Sequence, residues 1–88
     1  MAVVFIPSLM QALTGGQEQV TVEGANLRQV INNLEAAYPG FKNRVLDESG
    51  QVQDGLAIAV DGSTSHLGLI EPVSETTEIH FIPAIGGG

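Results

Sequence analysis

Only one stretch of this chain keeps helical spacing over several turns, and it lies between two groups of short apolar runs. Leu27, Val30, Ile31, Leu34, Ala37 and Tyr38 recur at intervals of three and four, which places one apolar stripe along a helix. Asn26 stands where an N-cap acceptor is needed, Gln29 follows three residues later in capping-box position, and Pro39-Gly40 stops the pattern. A helix of about three turns can cross one face of a small sheet. The remaining apolar residues must then be buried in strands, which narrows the architecture.

Ala2-Val3-Val4-Phe5-Ile6 is an unbroken apolar run closed by Pro7 and predicts an interior strand buried on both faces. Ser8 to Leu13 predicts an irregular turn or one turn of helix, and Thr14-Gly15-Gly16-Gln17 a reversal. From Gln19 to Glu23 polar and apolar residues alternate, the mark of a half-exposed strand, antiparallel to the first. After the helix, periodicity is lost from Phe41 to Gly55. Phe41, Val45 and Leu46 are expected to tack this segment to the core, with Asp47-Glu48-Ser49-Gly50 as an exposed turn. Leu56 to Val60 reads as another strand, and Asp61-Gly62 as a turn into a short edge strand around Ser63 to His66. Leu67, Leu69 and Ile70 cannot all face water without cost. Glu71-Pro72 breaks the chain, and Thr76 to Ile82 forms the last strand.

The order is strand, strand, helix, strand, weak strand, strand. The last strand is as apolar as the first, so pairing the two side by side buries both and sends the chain end out from the middle of the sheet. This is an α+β fold of β-grasp (ubiquitin-like) type, a mixed four- to five-stranded sheet with one main helix packed on one face. A ferredoxin-like fold would need two helices. The expected division is a domain over residues 1–82 and a flexible arm over 83–88. In the last strand Ile79 and Phe81 face one way and His80 and Ile82 the other; in the first, Val3 and Phe5 oppose Ala2, Val4 and Ile6. One helix covers one face, so part of the other should form an apolar docking patch beside the arm, unless the 41–55 segment or a second copy covers it. Periodicity leaves open which set faces outward.

Composition limits the function. A chain of 88 residues is one small domain, burying about 60–68% of its unfolded surface, and has no room for a separate catalytic unit. Ten acidic residues oppose three basic ones, Arg28, Lys42 and Arg44; the net charge of −7 disfavours nucleic acid and anionic membrane and suits a basic partner, although it serves solubility equally well. No apolar run approaches the roughly 20 residues of a membrane span, and no basic leader opens the chain, so a cytoplasmic protein is expected. Cysteine is absent, so no side chain can carry sulfur. His66 and His80 lack metal-ligand spacing. Ser63, Ser65 and His66 with Asp61 are too crowded along one strand for a triad. Gly15-Gly16 lacks the lysine of a phosphate loop, and Glu71, Glu75 and Glu78 fit no calcium loop. The residues therefore give no active site of the chain's own.

The last six residues, Pro83-Ala84-Ile85-Gly86-Gly87-Gly88, remain. Such an arm is either a frayed end or a probe that threads a narrow channel, with glycines that bring no side chain near the reacting carbonyl. Extended, it reaches about 20 Å. A terminal carboxylate, with a pKa of about 3.3–3.7, is ionised and a poor electrophile, so using it requires activation, for example as a mixed anhydride with AMP. A separate enzyme must supply that step.

Four landmarks now combine: Leu13-Thr14-Gly15-Gly16, the helix end Tyr38-Pro39-Gly40, the strand end Val60-Asp61-Gly62, and the final Phe81-Ile82-Pro83-Ala84-Ile85-Gly86-Gly87-Gly88. Together they resemble the MoaD/ThiS-type ubiquitin-like sulfur carriers, the family of the molybdopterin synthase small subunit and the cysteine-biosynthesis carriers. The resemblance implies that a ubiquitin-activating-like adenylating enzyme converts Gly88 to an acyl adenylate and that a sulfur donor displaces AMP to leave a thiocarboxylate. Phe81, Pro83, Ile85, Gly86 and Gly87 would bind the partners. No cofactor would be held stably, since ATP and the sulfur donor belong to the activating system. The acceptor would be the molybdopterin synthase large subunit or a cysteine synthase. Glu75-Thr76-Thr77 replaces the family's acidic-Gly-Asp turn and Asp61 its common Asn, while Thr14 to Gln17 and the long 43–55 segment look more like the cysteine-pathway carriers. A thiamin or tRNA-thiolation carrier, and a protein modifier joined through Gly88 to lysines, are the alternatives. Lys42 is the only lysine for self-linkage.

Overall fold

The computed structural model describes residues 1–64 and 67–83. Its elements are β1 (Ala2–Phe5), a 3-10 helix over Ser8–Thr14, β2 (Gln19–Val22), α1 (Leu27–Ala37), α2 (Phe41–Val45), β3 (Leu56–Val60), β4 (Ser63–Thr64), a 3-10 turn over Gly68–Ile70, and β5 (Glu78–Pro83). The strands form one five-stranded sheet in the order β2-β1-β5-β3-β4. β1 and β5 lie together near its middle and run parallel, with Val4 opposite Ile79 and Phe5 opposite His80. The other pairings, β1 with β2, β3 with β5 and β3 with β4, are antiparallel. This is the mixed sheet and central pairing expected from the apolar content of the first and last strands.

α1 forms where the periodicity places it. The Asn26 side chain accepts a hydrogen bond from the Gln29 amide at 2.9 Å, and Gln29 Oε1 accepts from the Ala25 amide at 2.8 Å, one residue before the usual capping-box partner. Leu27, Val30, Ile31 and Leu34 are fully buried and pack in one cluster with Val4, Val20, Val22, Ile58, Ile79 and Phe81 from the sheet. Tyr38 ends the helix as its C-cap, with its amide donating to the Leu34 carbonyl at 2.7 Å. Gly24 makes the approach from β2 possible. At φ +154, a Cβ there would meet the Val30 backbone nitrogen at 2.8 Å, closer than any real side chain sits.

The 41–55 segment is more ordered than its sequence suggests. Phe41 and Val45, four residues apart, are buried on one side of the short helix α2. The carboxylate of Glu35, at the end of α1, supplies what five residues cannot provide for themselves. It accepts from the Lys42 amide at 2.8 Å and the Gly40 amide at 3.1 Å, capping the first turn of α2. These bonds, the Lys42 one foremost, hold the Glu35 carboxyl below its ordinary value of 4.5. Phe41, Val45 and Leu46 join the core as expected, and the Asp47 carboxylate closes the following turn on the amides of Ser49 and Gln51. The segment thus lies on the helix side and leaves the opposite sheet face uncovered by it.

Other boundaries shift. The 3-10 helix after β1 spans seven residues where at most one turn is expected. Its last residue, Thr14, is buried with its hydroxyl 2.9 Å from the Gln17 carbonyl and 3.2 Å from that of Gln11. Leu69 packs against the core, while Leu67 and Ile70 stay in water. β5 begins at Glu78, because Ser74 to Thr77 form a turn in which the Ser74 amide donates to Thr77 Oγ1 at 2.9 Å. It ends at Pro83, one residue inside the expected arm. Ser65, His66 and the 84–88 stretch lie outside the described residues. Among the described residues no helix is long and apolar enough to cross a membrane.

Candidate partner interface around the last strand

β5 divides its side chains between the core and the outside. Ile79 is fully buried and Phe81 is 4% exposed, with its ring meeting Phe41 edge-on at 5.6 Å between centroids. Phe81, assigned to partner contact from sequence, turns its ring into the core, and the residue also borders the groove at the end of the outer face. It points into the core because β5 needs a large apolar group opposite Phe41, and its place is to seat the strand that leads to the arm. His80 and the 47%-exposed Ile82 form the outward set. On β1, Val3 and Phe5 are half-buried while Ala2 and Val4 are buried, so this strand is not buried on both faces as its apolar run suggests.

The outer face has a definite centre. The Phe5 and His80 rings stack at 4.1 Å with 6° between their planes, as the parallel register requires of residues side by side. Glu78, two residues before His80 on the same face, brings Oε1 to 3.9 Å from His80 Nε2; both side chains are well exposed, so the pair adds little to stability. β3 contributes small residues, Ala57 beside Ile82 and Ala59 beside His80, which keeps this part of the face low. Asp61, at φ +51 in the β3–β4 turn, fixes the start of β5 by accepting the Glu78 amide at 2.9 Å.

A groove of about 390 Å³ opens at the end of this face, between Phe5, Pro7 and Leu9 on one side and His80 and Ile82 on the other. Leu9, 62% exposed, forms its lip. β1 and β5 are parallel, so the groove lies at the end of β5 from which the chain continues. Pro83 closes the strand opposite Leu56; without an amide proton it cannot extend the ladder as a donor. Of the residues assigned to the site from sequence, Phe81 and Pro83 lie in β5, whereas Ile85, Gly86, Gly87 and Gly88 fall outside the described residues. Sequence reasoning missed Leu9 as a lining residue of the groove, which no periodicity marks in an irregular segment. It also missed the stack of Phe5 on His80, which depends on register. Among the described residues no three of the acidic and histidine side chains gather to hold a metal, and the acids at 71, 75 and 78 make no exception.

The family model that matches this chain is described as the ThiS family and covers residues 4–88, from β1 to the last glycine. The chain belongs to the ThiS family. The sulfur carrier protein CysO of Mycobacterium tuberculosis is 33% identical over 89 residues, an alignment covering 97% of this chain and 96% of that one. The crystal structure of M. tuberculosis CysO superimposes with a TM-score of 0.91 at 30% identity, covering 97% of this chain and 100% of the other. A chain of the Amycolatopsis orientalis BexX/CysO complex gives 0.92 at 26% identity, with both chains covered completely. These likenesses agree with the β-grasp fold read from the order of elements. For this ThiS-family chain the groove and the face around Phe5, His80 and Ile82 stand at the end of β5, and the family match continues in sequence through Gly88.

Proposed function

We propose that this ThiS-family chain is a sulfur carrier that acts as a protein co-substrate, with Gly88 as the group that reacts. A partner adenylating enzyme receives the arm, and the Gly88 carboxylate attacks the α-phosphorus of ATP, releasing pyrophosphate and leaving an acyl adenylate. A sulfide-level donor then attacks the acyl carbon, AMP departs, and the product is a C-terminal thiocarboxylate. The observation that carries this reading is the family match, which covers residues 4–88, from the central strand β1 to Gly88. Absence of cysteine fits it, because the sulfur rides on the chain end and needs no thiol. Gly86 and Gly87 thread the enzyme's channel, while Pro83 and Ile85 set the direction of the arm.

The curated relative named as sulfur carrier CysO supports the cysteine-biosynthesis branch over the molybdopterin one, with a cysteine synthase as acceptor. The outer sheet face is where the body rests on its partner enzymes, because it carries the stacked Phe5 and His80 rings and the exposed Ile82, flanks the end of β5 and is left open by the helix layer. Mass spectrometry of the protein isolated from its own host is the test. A species heavier by the exchange of one oxygen for sulfur is expected at the C-terminal peptide, and deletion of Gly87-Gly88 removes it. A C-terminal peptide found only unmodified, or only amide-linked to lysines, while the host is starved of sulfur amino acids, overturns the proposal.

A further inference from the structure

A second depression lies on the other side of the arm's root. It measures about 270 Å³ and is lined by Leu9, Met10, Arg44, Asp54 and Leu56 among others. Leu56 is the residue paired with Pro83, one strand spacing of about 4.8 Å away. Leu9 borders both this groove and the one on the outer face, so the two flank the point where β5 ends, with an exposed leucine between them. Arg44 reaches this rim from α2 and donates from Nη2 to the Leu9 carbonyl at a long 3.5 Å. In a chain with ten acidic and three basic side chains, none of the described acids comes within 4.0 Å of it, although Asp54 lines the same groove.

We propose that Arg44, with Leu9 beside it, is the docking contact for a carboxylate side chain on the adenylating enzyme that receives the arm. The inference rests on the sulfur-carrier reading. Five residues follow Pro83, and fully extended they reach about 17 Å. An enclosed nucleotide site at that distance must bring its mouth against Pro83, so the groups ringing Pro83 become covered. A guanidinium covered without an anion keeps its desolvation cost, and a carboxylate on the enzyme removes it. The remaining charge also needs a local marker. A net charge of −7 draws the carrier towards a basic enzyme but does not fix its rotation about the arm, whereas one cation facing one acid does.

The test is ATP–pyrophosphate exchange catalysed by the adenylating enzyme of the chain's own host, with thermal unfolding confirming that each variant is folded. Arg44→Glu is expected to raise the KM for the carrier about tenfold or more while kcat stays within about twofold, and Arg44→Lys to recover most of the loss. Asp54→Asn should not raise KM. A KM for Arg44→Glu within about twofold of wild type overturns the contact. So does an Asp54→Asn variant as impaired as Arg44→Glu, because Arg44 would then be satisfied within the chain. If the wild-type chain supports no exchange, the carrier reading fails and this contact with it; normal exchange by both wild type and Arg44→Glu removes the contact alone.

Discussion

Phe81 and Ile82 are consecutive residues of one strand, yet one is 4% exposed and the other 47%. Phe81 meets Phe41, brought in by a helix that depends on a carboxylate from another helix. Ile82 meets water beside the small Ala57. The same alternation separates Val4 from Phe5 and Ile79 from His80. Within this sheet the residues that build the core and those that face water therefore lie on opposite faces, and the boundary between them runs between neighbours along the chain.

Substitutions on the two faces can break that contrast. Phe81→Ala removes a core ring and is expected to cost about 3–5 kcal/mol in urea unfolding, enough to leave so small a domain largely unfolded. Ile82→Ala should change stability by no more than about 0.5 kcal/mol while raising the KM for the carrier in pyrophosphate exchange. Equal losses of stability at the two positions would show that the outer face is part of the core after all. The smallest effect is expected at Glu35→Gln. Because its hydrogen bonds hold the Glu35 carboxyl below 4.5, the stabilisation it gives is present above that pH and is lost as pH falls through the lowered value. Wild type should exceed the variant slightly at neutral pH, and the gap should close below about pH 4.5 in unfolding curves taken across acid. Asp47, lowered chiefly by the Ser49 hydroxyl, is intact in both proteins and leaves each some residual acid sensitivity.

The parts legible in the sequence are those governed by local pattern. The stripe from Leu27 to Leu34, its Asn26 cap and the turn at Asp61-Gly62 depend on neighbours within a few residues, and the adjacency of β1 and β5 follows from their shared apolar content. What escaped depends on tertiary partners. α2 has an apolar pair at helical spacing, but its five residues hold as a helix because Glu35 caps them. Alternation showed that β5 has two faces without saying which one α1 would cover, and the core side of Phe81 is set by its meeting with Phe41. Leu9 and Arg44 are distant in sequence and meet only because the 3-10 helix after β1 folds against α2.

The position of β5 has a mechanical consequence. Hydrogen-bonded to β1 on one side and to β3 on the other, it is held along both edges. A pull on the arm, as when an enzyme closes on it or releases it, acts along the axis of this strand. The load is then shared in shear by both ladders at once and cannot unzip them bond by bond. Joining the arm directly to the doubly held strand lets force applied at the tip reach the whole sheet, so the carrier moves as one body when it is tugged free.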